Sequence, residues 1–385
     1  MTQVIFTERC DYMKVVAAID SFKGSMTSME AGNAVKKGIL AAKPDAEVVV
    51  NPLADGGEGT VDALIEGLGA EKIPVTVAGP LGEKVSCYYG FLEETKTAVM
   101  EMASAAGITL VIKKDPLRAS TYGVGEMIAD ALKRGCKNFI IGIGGSATND
   151  GGIGMLKALG FEFFDEDGND VGEGAAALAK IEVIRTENKN PLLSGAKFQI
   201  ACDVKNPLCG KQGATYIFGS QKGVTEEQKD QIDEAMRHYA DVTKESLDCD
   251  FADCEGAGAA GGLGYAFLSY LAGELIPGVE LILHATGLEE KMKNADVVVT
   301  GEGRLDAQTV MGKAPVGVAA LAKKYNAKVI AFAGSVAPEA SVCNQAGIDA
   351  FFPIVRGVTT LEEAMKKENA MENIAATAEQ VFRLL

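Results

Sequence analysis

Four short stretches of this 385-residue sequence combine glycine with acid, amide or base: SFKGS (21–25), ADGGEGT (54–60), GGSATNDGG (144–152) and TGEGRLDAQT (300–309). Each follows an apolar run rich in β-branched residues and precedes a segment of helical period. Lys23, flanked by Asp20, Ser21 and Ser25, stands just before a helix start. Free backbone N–H groups and the helix dipole favour an anion there, and Lys23 adds a full charge. Asp55 and Glu58 bracket Gly56 and Gly57, and the absence of Cβ atoms lets such backbone approach a ligand. Gly144 and Gly145 offer paired amides that could cradle a phosphate, followed by Ser146, Asn149 and Asp150. The last stretch carries Glu302, Arg304, Asp306 and Gln308, with Lys313 shortly after. A fifth stretch, ACDVKNPLCG, ends a strand with Asp203 and then Asn206. Any one of these could be a tight turn with a capping residue. Their recurrence at strand ends is the stronger signal, because open parallel sheets bind ligands beyond the carboxyl ends of their strands.

Two familiar nucleotide signatures can be weighed directly. Gly142-x-Gly144-x-x-Ala147 follows a strand, as a dinucleotide fingerprint would, and acids in FEFFDED lie downstream. Against it, the loop runs on through TNDGG and puts Asp150 where a pyrophosphate would meet the helix. No GxxxxGK[ST] occurs, so any ATP is held without a P-loop. GAGAAGGLG (256–264) either lets backbone approach an anionic ligand or allows close helix packing.

The elements that must position these residues read as repeats of strand, loop and helix. Strands are expected at KVVAAID, EVVVNPL, NFIIGI, ADVVV, KVIAFAG and AFFPIV. Helices are expected after the first four loops and again near 361–385, with a capping-box spacing at Thr27 and Glu30. Residues 73–101 instead alternate as strands, 197–204 give another strand, and 224–247 form a polar helix. The fold class is α/β. The chain ends, 13–75 and 280–385, form a discontinuous Rossmann-like parallel sheet domain. Residues 76–279 form an inserted mixed α/β domain, and 1–12 are an N-terminal extension.

Composition bounds the function. Lys plus Arg is 37 against 53 for Asp plus Glu, a net charge of −16, which argues against nucleic-acid or anionic-membrane partners. No apolar run is long enough to span a membrane, and no secretion signal pattern opens the chain. The eight cysteines form no CxxC pair and read as reduced thiols of a cytoplasmic protein. With two histidines in all, a His-rich zinc site or a Ser-His-Asp triad is poorly supplied.

Read together, DSFKGS, LADGGEGT, IGIGGSATNDGG, CDVKNPL, GAGAAGGLG and TGEGRLDAQT followed by GKAP resemble, in order, the bacterial type I glycerate kinases. The resemblance covers nearly the whole chain from Met13. It implies ATP-dependent phosphorylation of D-glycerate with Mg²⁺, giving 2-phosphoglycerate, with 3-phosphoglycerate as the other assignment. It also implies two α/β domains, one of them discontinuous. Residue chemistry then suggests roles. Lys23 and Arg304 are the cationic clamps for phosphate or for the glycerate carboxylate. Asp55, Asp150 and Asp306 are oxygen donors suited to Mg²⁺. Asp203 is the first candidate for the catalytic base and Asp150 the second. The rival readings are a kinase of another small hydroxy acid, an NAD-dependent hydroxy-acid oxidoreductase, and a small-anion-binding protein. The sequence leaves monomer and homodimer open.

Overall fold

The computed structural model describes residues 12–53 and 60–385. Its strands are β1 (Lys14–Ile19), β2 (Glu47–Pro52), β3 (Glu71–Ala78), β4 (Lys84–Leu92), β5 (Thr97–Glu101), β6 (Asn138–Gly142), β7 (Glu162–Phe164), β8 (Val183–Arg185), β9 (Lys197–Ala201), β10 (Glu274–Ile276), β11 (Val297–Leu305), β12 (Lys328–Val336) and β13 (Ala350–Pro353). The chain divides into two compact units, Met1–Asp55 with Ile282–Leu385, and Gly56–Leu281.

The unit built from the chain ends holds a five-stranded, all-parallel sheet in the order β13-β12-β11-β1-β2. Its central strands are runs of Val, Ala and Ile buried on both faces, as a sheet covered by helices on both sides requires. The chain leaves β1 toward β2 on one side and returns at β11 on the other. The order therefore reverses between β1 and β11, and that reversal opens a crevice at the carboxyl ends of these two strands.

After β1 the helix Ser28–Ala42 starts with the expected capping box. Thr27 accepts from the Glu30 amide at 3.2 Å, and Glu30 accepts from the Thr27 amide at 2.9 Å. This helix and the C-terminal helix Lys367–Phe382 contribute Val35, Ile39, Ile374, Ala378 and Phe382 to one core with β1. Gly38 permits their close approach, since a Cβ there would lie 2.0 Å from the Ala375 carbonyl oxygen.

The inserted unit holds a mixed six-stranded sheet, β10-β9-β6-β5-β4-β3. β5, β6, β9 and β10 run parallel, and β3 and β4 extend them as an antiparallel edge. A separate two-stranded pairing joins β7 and β8. The helix Glu226–Leu247 covers this unit, burying Met236, Tyr239 and Ala240 against Leu263, Tyr265 and Phe163. Among the described residues no helix is long and apolar enough to cross a membrane. Cys87, Cys136, Cys202, Cys209, Cys249, Cys254 and Cys343 carry free thiols.

Two expectations about elements need correction. TGEGRL is not a loop: β11 runs on through it, because β12 is equally long and keeps pairing, Glu302 with Ala333 and Arg304 with Ser335. The segment near 361–385 is two helices, Leu361–Met365 and Lys367–Phe382, broken where Lys366 leaves helical geometry at ψ 129°.

The Gly38 contact gives a stability test. Gly38→Val should push the two helices apart and cost roughly 1–3 kcal/mol, as overpacking a close interface does. Thermal melting checks this, and an unchanged Tm would show that the helices yield freely.

Candidate active site

In the end-built unit, Asp20 closes β1 and is buried, its amide donating to the Gly301 carbonyl at 3.0 Å. The Ser21 amide returns to the Asp20 carboxylate at 2.6 Å. The turn that follows is closed by bonds between Phe22 and Met26, which leaves Lys23 exposed at its tip. The Ser25 hydroxyl is buried beneath it with no hydrogen-bond partner among the described residues.

β11 and the turn after it supply the facing wall. Glu302 is buried and accepts from the Thr309 hydroxyl at 2.7 Å and more loosely from Lys313 at 3.5 Å. Burial raises its pKa, and the Thr309 and Lys313 contacts oppose the rise. Asp306 stands 3.5 Å from Arg304 and 3.9 Å from Lys313. Its carboxylate also takes the Gln308 amide at 2.9 Å, which fixes the turn. Lys313 occupies the N-cap position of the helix Ala314–Lys323, where the helix dipole repels a cation. Glu302 and Asp306 offset that cost and hold the ammonium toward the strand ends.

These side chains line one cavity of about 690 Å³. Asp20, Ser21, Lys23 and Ser25 reach it from the turn after β1, and Glu302, Arg304, Asp306 and Lys313 from β11 and beyond. Gln308 is exposed and is not among its lining residues. The far wall went unpredicted. It comes from Ile354 and Val355 after β13 and from Leu361 and Met365 of the short helix, with Thr359 and Asn373. That wall carries no glycine or acid motif; the only hint in the sequence is apolar Val358, Leu361 and Met365 set in a polar stretch.

The inserted unit gathers a second set. Gly142 pairs with Ala201, so the loops after β6 and β9 leave the sheet side by side. Gly144 and Gly145 are exposed there. The loop is pinned from below: Gly145 accepts from the Ile108 amide at 2.9 Å, and the Ala147 amide donates to Ala106 at 2.8 Å. Ser146 is buried. Asp203 is exposed after β9 and accepts from the Gly278 amide at 2.8 Å. Asn206 is spent on the loop itself, its amide donating to the Gln212 carbonyl at 2.8 Å.

Asp150, a candidate base and metal ligand by residue type, is enclosed in the fold. It is fully buried, and its carboxylate accepts from the Thr121 amide and hydroxyl, both at 2.8 Å, and from the Gly152 and Gly154 amides. Burial raises its pKa against those donors. Through the Gly154 amide it joins the first turn of the helix Ile153–Ala158, whose N-cap is Gly152, to Thr121. The same geometry removes the dinucleotide reading. No helix begins at Ala147, and the first free amides of the helix are already taken by Asp150. Asn149 is likewise buried, donating to Thr215 at 3.0 Å. GAGAAGGLG serves close packing: a Cβ on Gly261 would lie 2.2 Å from the Thr148 carbonyl oxygen, and one on Gly258 2.2 Å from that of Pro207. Asp55, Gly56, Gly57 and Glu58 lie outside the described residues.

Lys222 belongs to this buried cluster and has no signature in the sequence. The residue is 2% exposed, and its Nζ donates to the Thr148 carbonyl at 2.7 Å.

A sequence profile of the glycerate kinase family matches residues 15–385. The chain belongs to the glycerate kinase family. Glycerate kinase of Bacillus subtilis strain 168 is 45% identical over 371 residues, covering 96% of this chain and 97% of that protein. Glycerate 2-kinase of Escherichia coli K12 is 45% identical over 372 residues, covering 95% and 98%. A crystal structure from Salmonella typhimurium LT2, described as that of a proposed glycerate kinase 2, superposes with a TM-score of 0.89. It is 42% identical and covers 97% of this chain and 98% of its own. Family membership thus spans both units and every motif described above.

Lys222 gives this family member a pH signature. Burial lowers its pKa to about 7 from 10.5, with the Asp150 charge opposing the shift. The unfolded chain therefore holds a proton that the folded chain lacks between those values, so this group makes stability rise with pH from about 7 to 10.5. Urea unfolding of wild type and Lys222→Met at pH 7 and pH 9 should show the stability difference moving in favour of wild type at pH 9. A pH-independent difference would contradict the buried, shifted lysine.

Proposed function

We propose that this chain transfers the γ-phosphoryl group of ATP to D-glycerate and releases 2-phosphoglycerate and ADP, acting in the cytoplasm. The observation that carries the reading is the convergence of Lys23, Arg304 and Lys313 with Asp20 and Asp306 on one cavity at the reversal of a parallel sheet. The names of its relatives support the acceptor. In the transfer, a glycerate hydroxyl oxygen forms the new P–O bond as the bond to the β-phosphate breaks. The electron pair leaves with ADP, and the hydroxyl proton passes to a base.

Phosphoryl transfer asks a protein chiefly for positioning and charge neutralisation. Lys23 supplies a point charge at the turn after β1. Arg304, 67% exposed at its side chain, supplies a planar fork that suits the glycerate carboxylate. Asp203 is the proposed base, because it stands exposed at a strand end while Asp150 is enclosed. The exposed Gly144 and Gly145 amides are a proposed phosphate contact. Asp150, Asn149 and Asn206 hold the loops that present these groups.

Mg²⁺ suits the donors present. Among the described residues no three acids, histidines or cysteines cluster as a complete metal cage. Mg²⁺ characteristically takes one or two carboxylates and completes its shell with phosphates and water. Asp306 and Asp20 offer that number on one cavity. When bound, the ion would neutralise charge on the nucleotide phosphates. The two compact units are the proposed domains of the enzyme.

ADP release from ATP with D-glycerate, L-glycerate, lactate and tartronate tests the reading, with D-glycerate expected to be the preferred acceptor. Lys23→Ala and Asp203→Asn should each lower kcat/KM by roughly 10²–10³ with an unchanged melting temperature, the loss seen when one preorganised charge contact is removed. Near-full kcat in Asp203→Asn would remove it as the base. An unchanged glycerate KM in Arg304→Lys would remove the bidentate carboxylate contact.

A further inference from the structure

The cavity of the end-built unit is larger than its charged wall explains. At about 690 Å³ it lies in the range of pockets for cofactor-sized ligands, and a three-carbon acid would fill a small part of it. Its polarity is divided. The ionic side chains come from the turn after β1 and from β11 with the turn beyond it, and the apolar ones chiefly from residues 354–365, joined by Phe22 and Ala370.

The helix Leu361–Met365 makes that apolar wall, and the fold gives its apolar side chains little cover. Leu361 is 76% exposed and Met365 37% exposed. They stand four residues apart, hence on one helical face, and both line the cavity. Between them Glu362 and Glu363 keep the opposite side polar. Thr360 caps the helix, accepting from the Glu363 amide at 3.2 Å, so the face has a fixed direction. The wall also lies against the cationic turn: a Cβ on Gly24, next to Lys23, would meet the Met365 Cε at 3.0 Å. Asn373, from the C-terminal helix, brings an amide with both donor and acceptor to the same side.

We infer that this cavity is the seat of the nucleotide, with the purine ring lying on Leu361 and Met365 and the phosphates directed at Lys23 and Lys313. An apolar plate beside a cationic turn complements a ligand with a flat apolar end and an anionic end. Neither glycerate nor inorganic phosphate has both. The inference rests on the ATP reading above and adds which residues recognise the base.

The test uses the full chain and separates base from phosphate recognition. Calorimetric titration with ADP and with inorganic tripolyphosphate is compared between wild type and Leu361→Ser/Met365→Ser. The double variant should weaken ADP by about tenfold or more, the low end of what losing apolar pocket contacts costs. Tripolyphosphate affinity and glycerate KM should stay as in wild type. In wild type, the ¹³C-methyl signal of Met365, assigned with Met365→Leu, should shift on adding ADP and not on adding tripolyphosphate. That second readout does not depend on the double variant folding. Unchanged ADP affinity in a folded double variant, or a still Met365 signal at saturating ADP, overturns the inference. So does a raised glycerate KM with an unchanged ATP KM. If wild type neither binds nor turns over ATP, it is the kinase reading itself that fails.

Discussion

The pairing of β1 with β11 is the constraint on which the rest of the end-built unit depends. Val15, Val16 and Ala17 lie beside Val297, Val298 and Val299 in parallel register, all of them buried. A strand buried on both faces can offer chemistry only at its ends. Because the chain leaves these two strands in opposite directions, their ends diverge and leave a crevice. The ion-bearing residues follow from that placement. Asp20 is the first residue past β1, and Glu302 and Arg304 sit where β11 outruns β1 and pairs only with β12.

The inserted unit meets a related demand differently. Its strand-end loops are shaped from beneath by groups withdrawn from solvent. Asp150 spends its carboxylate on Thr121 and on the Gly152 and Gly154 amides, and Lys222 spends its ammonium on the Thr148 carbonyl. Burying such groups is costly unless each finds partners. The Thr148 hydroxyl and the Asn149 side-chain oxygen Oδ1 are buried without a hydrogen-bond partner among the described residues, so the cost is not fully offset. What the loop gains is a fixed backbone, with Gly144 and Gly145 left facing outward.

Much of this was legible in the sequence because it is local. Runs such as KVVAAI and VVVT announce buried parallel strands, and glycine beside an acid announces the loops at their ends. Thr27 and Glu30 announce a helix start. The sequence misleads where distant partners decide. Glycines made TGEGRL read as a loop, yet β12 holds it in the sheet. Asp150 reads as a ligand by residue type, and Thr121, 29 positions away, makes it an anchor. Lys222 reaches Thr148 across 74 positions and leaves no local trace. The Leu361–Met365 wall was missed because it lacks polar chemistry.

The net charge of −16 does not oppose an enzyme of anionic substrates, since the cations that matter are few and are placed at strand ends. The proposed transfer of a phosphoryl group to one hydroxyl of glycerate is measured most directly by ³¹P–¹H correlation NMR of the product formed from D-glycerate and ATP. Phosphorus coupled to the single C2 proton, the mark of 2-phosphoglycerate, is the expected result. Coupling to the C3 methylene protons, or no ATP-dependent phosphorylated product, would contradict it.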